Sequence, residues 1–143
     1  MDMKNINLKE LEKQYAGIPY KKLIQHQIRK AKKYNKIEKI LEYSIETFFS
    51  NEEKMVVQTL MDIYRQELMV DINNIFNRQK MWNIDCAEML HRITSDAKSY
   101  LSKYDDDLLF NIFHVITLYF SCITLENKEI RKIMGIKKGL FFI

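Results

Sequence analysis

Glu88 and His91 have the spacing that places a carboxylate and an imidazole on one face of a helix. Two such pairs, together with two further glutamates on facing helices, form the di-iron sites of helical bundles. The histidine in the most apolar part of the chain, His114, has Asn111 rather than a glutamate three residues before it. The sequence therefore predicts that Glu88 and His91 lie on a helix surface, and that the protein holds no metal and no cofactor.

Cys122 follows His114 by about two helical turns, so the two side chains would lie near the same face of a helix. A nucleophilic cysteine needs an electropositive, partly exposed site, whereas apolar neighbours favour a buried thiol. The second cysteine, Cys86, also lies beside apolar residues. The sequence contains neither a glycine-rich phosphate loop nor a Gly-x-Ser-x-Gly turn. We therefore expect His114 to be a core or groove histidine, and the cysteines to be two buried free thiols in a reducing, cytoplasmic location, with no enzymatic activity.

Positive charge is concentrated in one part of the chain. Residues 21–39 carry eight Lys or Arg and one acid, whereas residues 40–126 carry seven Lys or Arg and fourteen acids. A basic helix of this kind can bind a phosphate backbone or another acidic partner. The candidate contact residues are Lys21, Lys22, Arg29, Lys32, Lys33 and Lys36.

The basic segment also has interpretations that involve no ligand. It can be a solvated face, or one that Glu38, Glu42 and Glu46 neutralise within the fold. The 18 lysines, 19 isoleucines and 10 asparagines are typical of an AT-rich genome, so part of the positive charge can reflect codon usage. The segment has few arginines and no interleaved aromatic residues suited to base stacking, which disfavours binding of single-stranded nucleic acid.

The C-terminal segment carries a second basic group, which consists of Lys128, Arg131, Lys132, Lys137 and Lys138. Residues 127–139 have the layout of the first helix and turn of a helix-turn-helix motif. Arg131 stands where a small residue is usual, and seven residues after Ile136 are too few for a recognition helix, so we expect no DNA-reading motif. The apolar residues 140–143 are expected to pack into the domain's own core. The alternative is contact with a partner or with a second copy, which would make the protein a homo-oligomer.

Periodicity and capping signals predict seven helices, at 7–16, 19–34, 36–49, 51–79, 84–103, 106–125 and 127–134. Ser50 with Glu53 fits a capping box, Pro19 fits the first position of a helix, and the acids 105–107 suit the positive end of one. Three glycines and one proline leave few breaks, which favours long helices over sheets. Helical spacing predicts two inward-facing sets: Ile37, Ile40, Leu41, Ile45 and Phe48, and then Val56, Leu60, Ile63, Tyr64, Leu68, Ile72, Ile75 and Phe76.

Residues 108–125 contain no charged side chain, which reaches the lower length limit for a membrane span. A helix that is apolar on almost every side either crosses a membrane or forms the centre of a bundle. Asn111 and His114 interrupt the apolar run, and amphipathic neighbours such as 19–34 need an apolar surface to pack against. We therefore expect the central helix of a bundle, with no membrane partner.

The fold predicted from these patterns is all-α, with residues 1–143 forming one compact bundle of six or seven helices around the apolar helix at 108–125. The first seven residues carry no apolar run, which predicts no signal peptide. We expect a non-catalytic interaction protein of the inhibitor, immunity or adaptor kind, which acts by contact with another protein. The alternative is a nucleic-acid-binding regulator that uses the basic helix 19–39 and the basic C-terminal segment.

Overall fold

Seven α-helices make up the fold in a computed structural model that describes residues 6–73 and 84–136. They are α1 (Leu8–Tyr15), α2 (Tyr20–Ala31), α3 (Tyr34–Phe48), α4 (Asn51–Asn73), α5 (Cys86–Lys98), α6 (Asp106–Glu126) and α7 (Lys128–Met134). The described residues contain no β-strand, although Pro19 and Asp85 form an isolated antiparallel bridge. The seven predicted helices and the all-α class are confirmed, and residues 74–79 of the predicted fourth helix lie outside the described residues.

Helix α6 forms the centre of the bundle and packs against α2, α3, α4, α5 and α7. Its side chains are buried without interruption from Phe120 to Leu125. By length and composition this helix could cross a membrane, but 72% of its most apolar window is buried inside the fold. Burial on nearly all sides is typical of a core helix, so the predicted central apolar helix is confirmed.

Hydroxyl groups are buried on α6 with partners for their hydrogen bonds. Thr117, Ser121 and Thr124 each lie within hydrogen-bond distance of the backbone carbonyl four residues earlier, at 2.8, 3.0 and 2.7 Å. The hydroxyl of Tyr20, a fully buried residue of α2, lies 2.8 Å from that of Thr117. Because the Thr117 hydroxyl donates to its own helix, Tyr20 is the donor of this pair. The bond ties α2 to the middle of α6.

An aromatic cluster joins three further helices to this core. Phe120 meets the ring of Tyr20 edge-on at a centroid distance of 5.8 Å, and the ring of Tyr64 on α4 at 6.0 Å. The Tyr64 hydroxyl donates to Asp96 of α5 at 2.6 Å, and Arg92 of α5 lies over the Tyr64 ring. Burial, followed by this hydrogen bond, raises the pKa of Tyr64. Helices α2, α4, α5 and α6 therefore meet around Phe120 and Tyr64.

Acidic side chains at helix starts also connect distant segments. Asp105 caps α6 by accepting a backbone amide at 2.8 Å, and Asp106 and Asp107 accept the amides of Leu8 and Ile6 at 3.2 and 3.0 Å. The predicted acidic start of this helix therefore also holds the N-terminal end of α1.

Asp85 performs the same two tasks for α2 and α5. Its carboxylate caps α5 by accepting the amide of Ala87 at 2.7 Å, and it also accepts the amide of Gly17. The hydrogen bond from Gly17 lowers the pKa of Asp85 most, and the one from Ala87 adds to this effect. Gly17 has a φ of +82°, a conformation that glycine adopts without steric strain. Pro19, predicted as the first helical residue, is instead the extended N-cap of α2, because it pairs with Asp85.

Two other helix ends differ from prediction. The predicted 19–34 helix ends at Ala31, because Lys32 adopts a left-handed conformation with a φ of +66° and closes the helix. The predicted 84–103 helix ends at Lys98, where the amide of Tyr100 turns back to the carbonyl of Ala97. The capping box is confirmed, since the Ser50 amide donates to the Glu53 carboxylate at 2.8 Å and the Glu53 amide donates to the Ser50 hydroxyl at 3.2 Å.

Several predicted inward-facing residues are exposed. Ile40, Phe48 and Ile63 keep 39%, 47% and 37% of their surface accessible, so this part of the prediction is wrong. On α3 the buried line runs through Ile37, Leu41 and Ser44. Ile40 precedes Leu41 by one residue, about 100° around the helix, and so it points to the border of the core. That border is where a groove opens.

Candidate functional site

A groove runs between α2 and α6, with α1 at one end and α3 at the other. It consists of two cavities of about 240 and 160 Å³ that share Gln27, Lys30 and His114 as lining residues. We call the pair the α2–α6 groove and the three shared residues its waist. The larger cavity is lined by Gln27, Lys30, Ala31, Lys36, Ile37, Ile40, His114 and Leu118. The smaller one is lined by Tyr15, Leu23, His26, Gln27, Lys30, Phe110, Phe113, His114 and Thr117.

The fold positions these residues through the packing of three helices. Helices α2 and α3 both pack against α6, and the turn at Lys32 and Lys33 joins them. Residues 110, 114 and 118 of α6 follow one another at four-residue spacing, which places them on one line along the helix. That line forms the floor of the groove, and its outer residues, Phe110 and Leu118, are apolar. The site therefore has an apolar floor with a polar centre.

The charge of the groove has one sign. None of the described residues that line it is acidic, whereas Lys30 and Lys36 are cations with exposed side chains. The salt bridges of the described residues include no Lys or Arg of 21–39. No salt bridge joins Glu38, Glu42 or Glu46 to this segment among the described residues. Glu46 pairs with Lys54 at 2.9 Å, and Glu38 accepts the Tyr34 hydroxyl. The groove can therefore attract a negatively charged group.

The waist presents hydrogen-bond donors to the groove. The Ser121 hydroxyl shares its hydrogen between the side-chain oxygen of Gln27, 2.9 Å away, and the carbonyl of Thr117, 3.0 Å away. The oxygen of the Gln27 amide is therefore engaged, and its NH₂ group remains to donate. His114 is half-buried and stacks on Phe110, with 15° between the rings. Desolvation lowers the pKa of His114, so its imidazole is neutral at pH 7 and carries one N–H donor.

The six candidate residues of the basic segment do not form one surface. Lys36 lines the groove. Lys22, Arg29 and Lys33 are exposed and line neither of its cavities; we call these three residues the outer basic face. Lys32 forms the end of α2, and Lys21 is half-buried. The basic segment is thus divided between the groove and the outer basic face.

The second basic group is only partly a surface patch. Lys128 and Lys132 are exposed and line an open cavity of about 360 Å³ with Ile136. Arg131, predicted as a contact residue, is buried with 9% of its surface accessible, because its guanidinium turns inward to donate to the carbonyl of Leu125. This residue is therefore a structural link between α7 and α6. Lys137, Lys138 and the apolar residues 140–143 lie outside the described residues.

Apart from His114, the residues that could have served catalysis or metal binding do not line the groove. Glu88 and His91 are exposed on α5, and His91 lies 3.7 Å from Glu12, so the predicted surface position of this pair is confirmed. Both cysteines are buried and free, as predicted. Burial raises the pKa of Cys86 to about 11 and that of Cys122 to about 12. At neutral pH both groups are therefore thiols, the unreactive form.

Two of the three waist residues, Gln27 and Lys30, were not among the residues singled out from the sequence. Lys30 belongs to the basic segment but was not among the candidates, and Gln27 was not considered. Leu23, Gln27 and Lys30 are spaced by four and three residues, which places them on one stripe of α2. A stripe that changes from an apolar to a cationic residue lies at the border between the buried and the exposed face of a helix. This spacing could have indicated Gln27 and Lys30 as groove residues. His114 was predicted as a core or groove histidine, and the structure places it in the groove.

Comparison with known proteins adds no further constraint. No protein-family model, no curated protein and no solved structure matches this chain. The function is therefore inferred from the α2–α6 groove and from the charges around it.

Proposed function

We propose that this protein is a non-catalytic interaction protein that binds another protein through the α2–α6 groove. The observation that carries the proposal is a groove with an apolar floor, exposed lysines at its border and no acid among its described lining residues. Apolar area supplies the main driving force of association, and unpaired cations increase the rate of encounter with an acidic partner. The protein would act as an inhibitor, immunity protein or adaptor, by occupying a surface of its partner.

Exposed apolar residues extend the groove along α3. Ile40 lines the larger cavity, and Tyr43 follows one turn later with 64% of its surface accessible. The Tyr43 ring meets that of Phe48 at a centroid distance of 6.4 Å, and Phe48 is also exposed. Aromatic residues are enriched in protein interfaces, whereas contiguous apolar patches are uncommon on free surfaces. This extension supports a protein partner rather than a small ligand confined to the groove.

The outer basic face supports the alternative function, binding of nucleic acid. Lys22, Arg29 and Lys33 are exposed and unpaired among the described residues, as a phosphate-binding surface requires. Such binding would use charge alone and would leave the apolar floor of the groove unused. The two functions therefore depend on different residues, which makes them separable by mutation.

Two isoleucine substitutions test the proposed function. Ile40 borders the groove, whereas Ile63 lies on α4 away from it with almost the same exposure, 39% against 37%. We expect the tagged protein, purified from its own cells after nuclease treatment, to retain a protein partner in a fixed molar ratio. Ile40→Asp should abolish this complex because it places a charge on the apolar border, and Ile63→Asp should leave it intact. The measurement is the partner-to-bait ratio after size-exclusion chromatography.

Two outcomes would count against the proposal. If both variants retain the partner equally, the groove is not the binding surface. If nuclease or about 0.3 M salt removes all bound material, and reversal of Arg29 and Lys33 abolishes binding to duplex DNA or RNA, the protein is a nucleic-acid-binding regulator.

A further inference from the structure

We infer that the α2–α6 groove binds an acidic amphipathic α-helix of the partner protein. This inference rests on the proposed function and specifies which segment of the partner is recognised. It depends on three features of the groove. The distance between its two apolar cavities fits a helix, its waist carries hydrogen-bond donors, and none of its described lining residues is acidic.

The length of the floor matches about two turns of a helix. Phe110 and Leu118 lie eight residues apart on α6, a distance of about 12 Å at the helical rise of about 1.5 Å per residue. On a bound helix, residues i and i+7 lie on the same face, about 10 Å apart. Two large apolar side chains at these positions would each enter one cavity. The smaller cavity offers them the accessible side chains of Leu23 and Phe110, and the larger one that of Ile40.

The waist selects the residue between the two apolar anchors. Position i+3 or i+4 of the bound helix would lie opposite Gln27, Lys30 and His114, which line both cavities. Each of these side chains has a hydrogen to donate, since the Gln27 oxygen already accepts from Ser121. A carboxylate has acceptors only, so aspartate or glutamate matches the waist, and lysine or arginine does not.

The border of the groove favours acids on the flanks of the bound helix. Lys36 lies at the α3 end and His26 at the α2 side, and none of the described lining residues is acidic. A basic helix would meet Lys30 and Lys36 without a compensating carboxylate, which excludes it by like-charge repulsion. Helix-in-groove recognition generally reads apolar anchors at i, i+3 or i+4, and i+7, with the flanking charges setting specificity.

A synthetic helix tests this inference directly. The probe is a fluorescein-labelled, alanine-rich peptide of about 16 residues with leucine at i and i+7 and glutamate at i+3 and i+4. One control peptide carries lysine in place of glutamate. A second has the same composition, with its leucines moved to opposite faces of the helix. We expect a micromolar dissociation constant for the probe by fluorescence anisotropy, and binding at least about tenfold weaker for both controls.

Matched protein variants locate the binding. Lys30→Glu should weaken binding of the probe by about tenfold, since it reverses a charge at the waist. Lys13→Glu makes the same charge change on the exposed side of α1 and should leave binding within about twofold. Circular dichroism melting curves of both variants establish that they remain folded.

The inference and the proposed function can fail separately. If the probe does not bind below about 1 mM, or if all three peptides bind equally, the groove does not recognise an acidic helix. A partner complex that still depends on Ile40 would then keep the proposed function, with another segment as the ligand. Equal weakening by Lys30→Glu and Lys13→Glu would indicate attraction by net charge alone, which also overturns the inference.

Discussion

Phe120→Ala is expected to lower the free energy of unfolding by about 4 kcal/mol, the cost of removing a fully buried phenylalanine. The ring of Phe120 contacts Tyr20 on α2 and Tyr64 on α4, so its loss leaves a cavity between three helices. Tyr20 cannot move inward to fill it without giving up its 2.8 Å hydrogen bond to Thr117. Urea denaturation followed by circular dichroism measures the change from the midpoint and slope of the transition.

Phe110→Ala is the matched control for this substitution. Phe110 lies ten residues earlier on the same helix, but it is half-buried at the floor of the groove. We expect a loss of about 1 kcal/mol, roughly half the value of burying a phenylalanine completely. Equal effects at the two positions would show that α6 does not form the centre of the bundle around Phe120.

Simultaneous reversal of Lys30 and Lys36 to glutamate is expected to weaken the complex with the protein partner by about a hundredfold. Each lysine borders the groove and forms no salt bridge within the described residues, so each is available to a carboxylate of the partner. A hydrogen bond to a charged group contributes about 1.5 kcal/mol, which is about tenfold in affinity for each position. Isothermal titration calorimetry with the purified partner measures the change.

The control for this double variant keeps the same net charge. Lys13→Glu with Lys103→Glu also lowers the formal charge from +4 to 0, since each reversal removes two positive charges. Both lysines are exposed and line neither cavity of the groove. We expect a change below about threefold, due to slower encounter at low salt. If the control loses as much affinity as the groove variant, the loss is due to the net charge of the protein and not to the groove lysines.

The helical architecture was predictable because local signals and burial agree along most of the chain. The Ser50–Glu53 capping box and the acids before α6 lie where the structure starts helices. The uncharged run within α6 predicted its central position, since no other segment could be surrounded by apolar helix faces. The end of α2 at Lys32 was not predictable from local signals, because its left-handed conformation usually calls for glycine and the sequence has lysine there. The turn at this residue leads into α3, which packs against α6.

The groove was only partly predictable, because it exists between helices and not within one. Charge segregation indicated the right segment, and Lys36 was among the candidates. The division of that segment between a groove and an outer face depends on how α2 lies on α6, so Lys30 and Gln27 were missed. Ile40 was predicted to be buried because α3 has apolar residues on a broad stripe, whereas the buried line of α3 runs through Ile37, Leu41 and Ser44 and leaves Ile40 at its edge. Arg131 was taken for a surface cation, although its guanidinium binds the carbonyl of Leu125.

Binding in the α2–α6 groove is tested most directly by NMR. Backbone amide shifts of the ¹⁵N-labelled protein are followed during titration with the purified partner, or with the acidic helical peptide. We predict that the largest shifts occur at residues 23–31, 36–40 and 110–118, which include every lining residue of the groove except Tyr15. Largest shifts at Lys22 and Lys33 with residues 110–118 unchanged, or largest shifts on α4 or α7, would contradict binding in this groove.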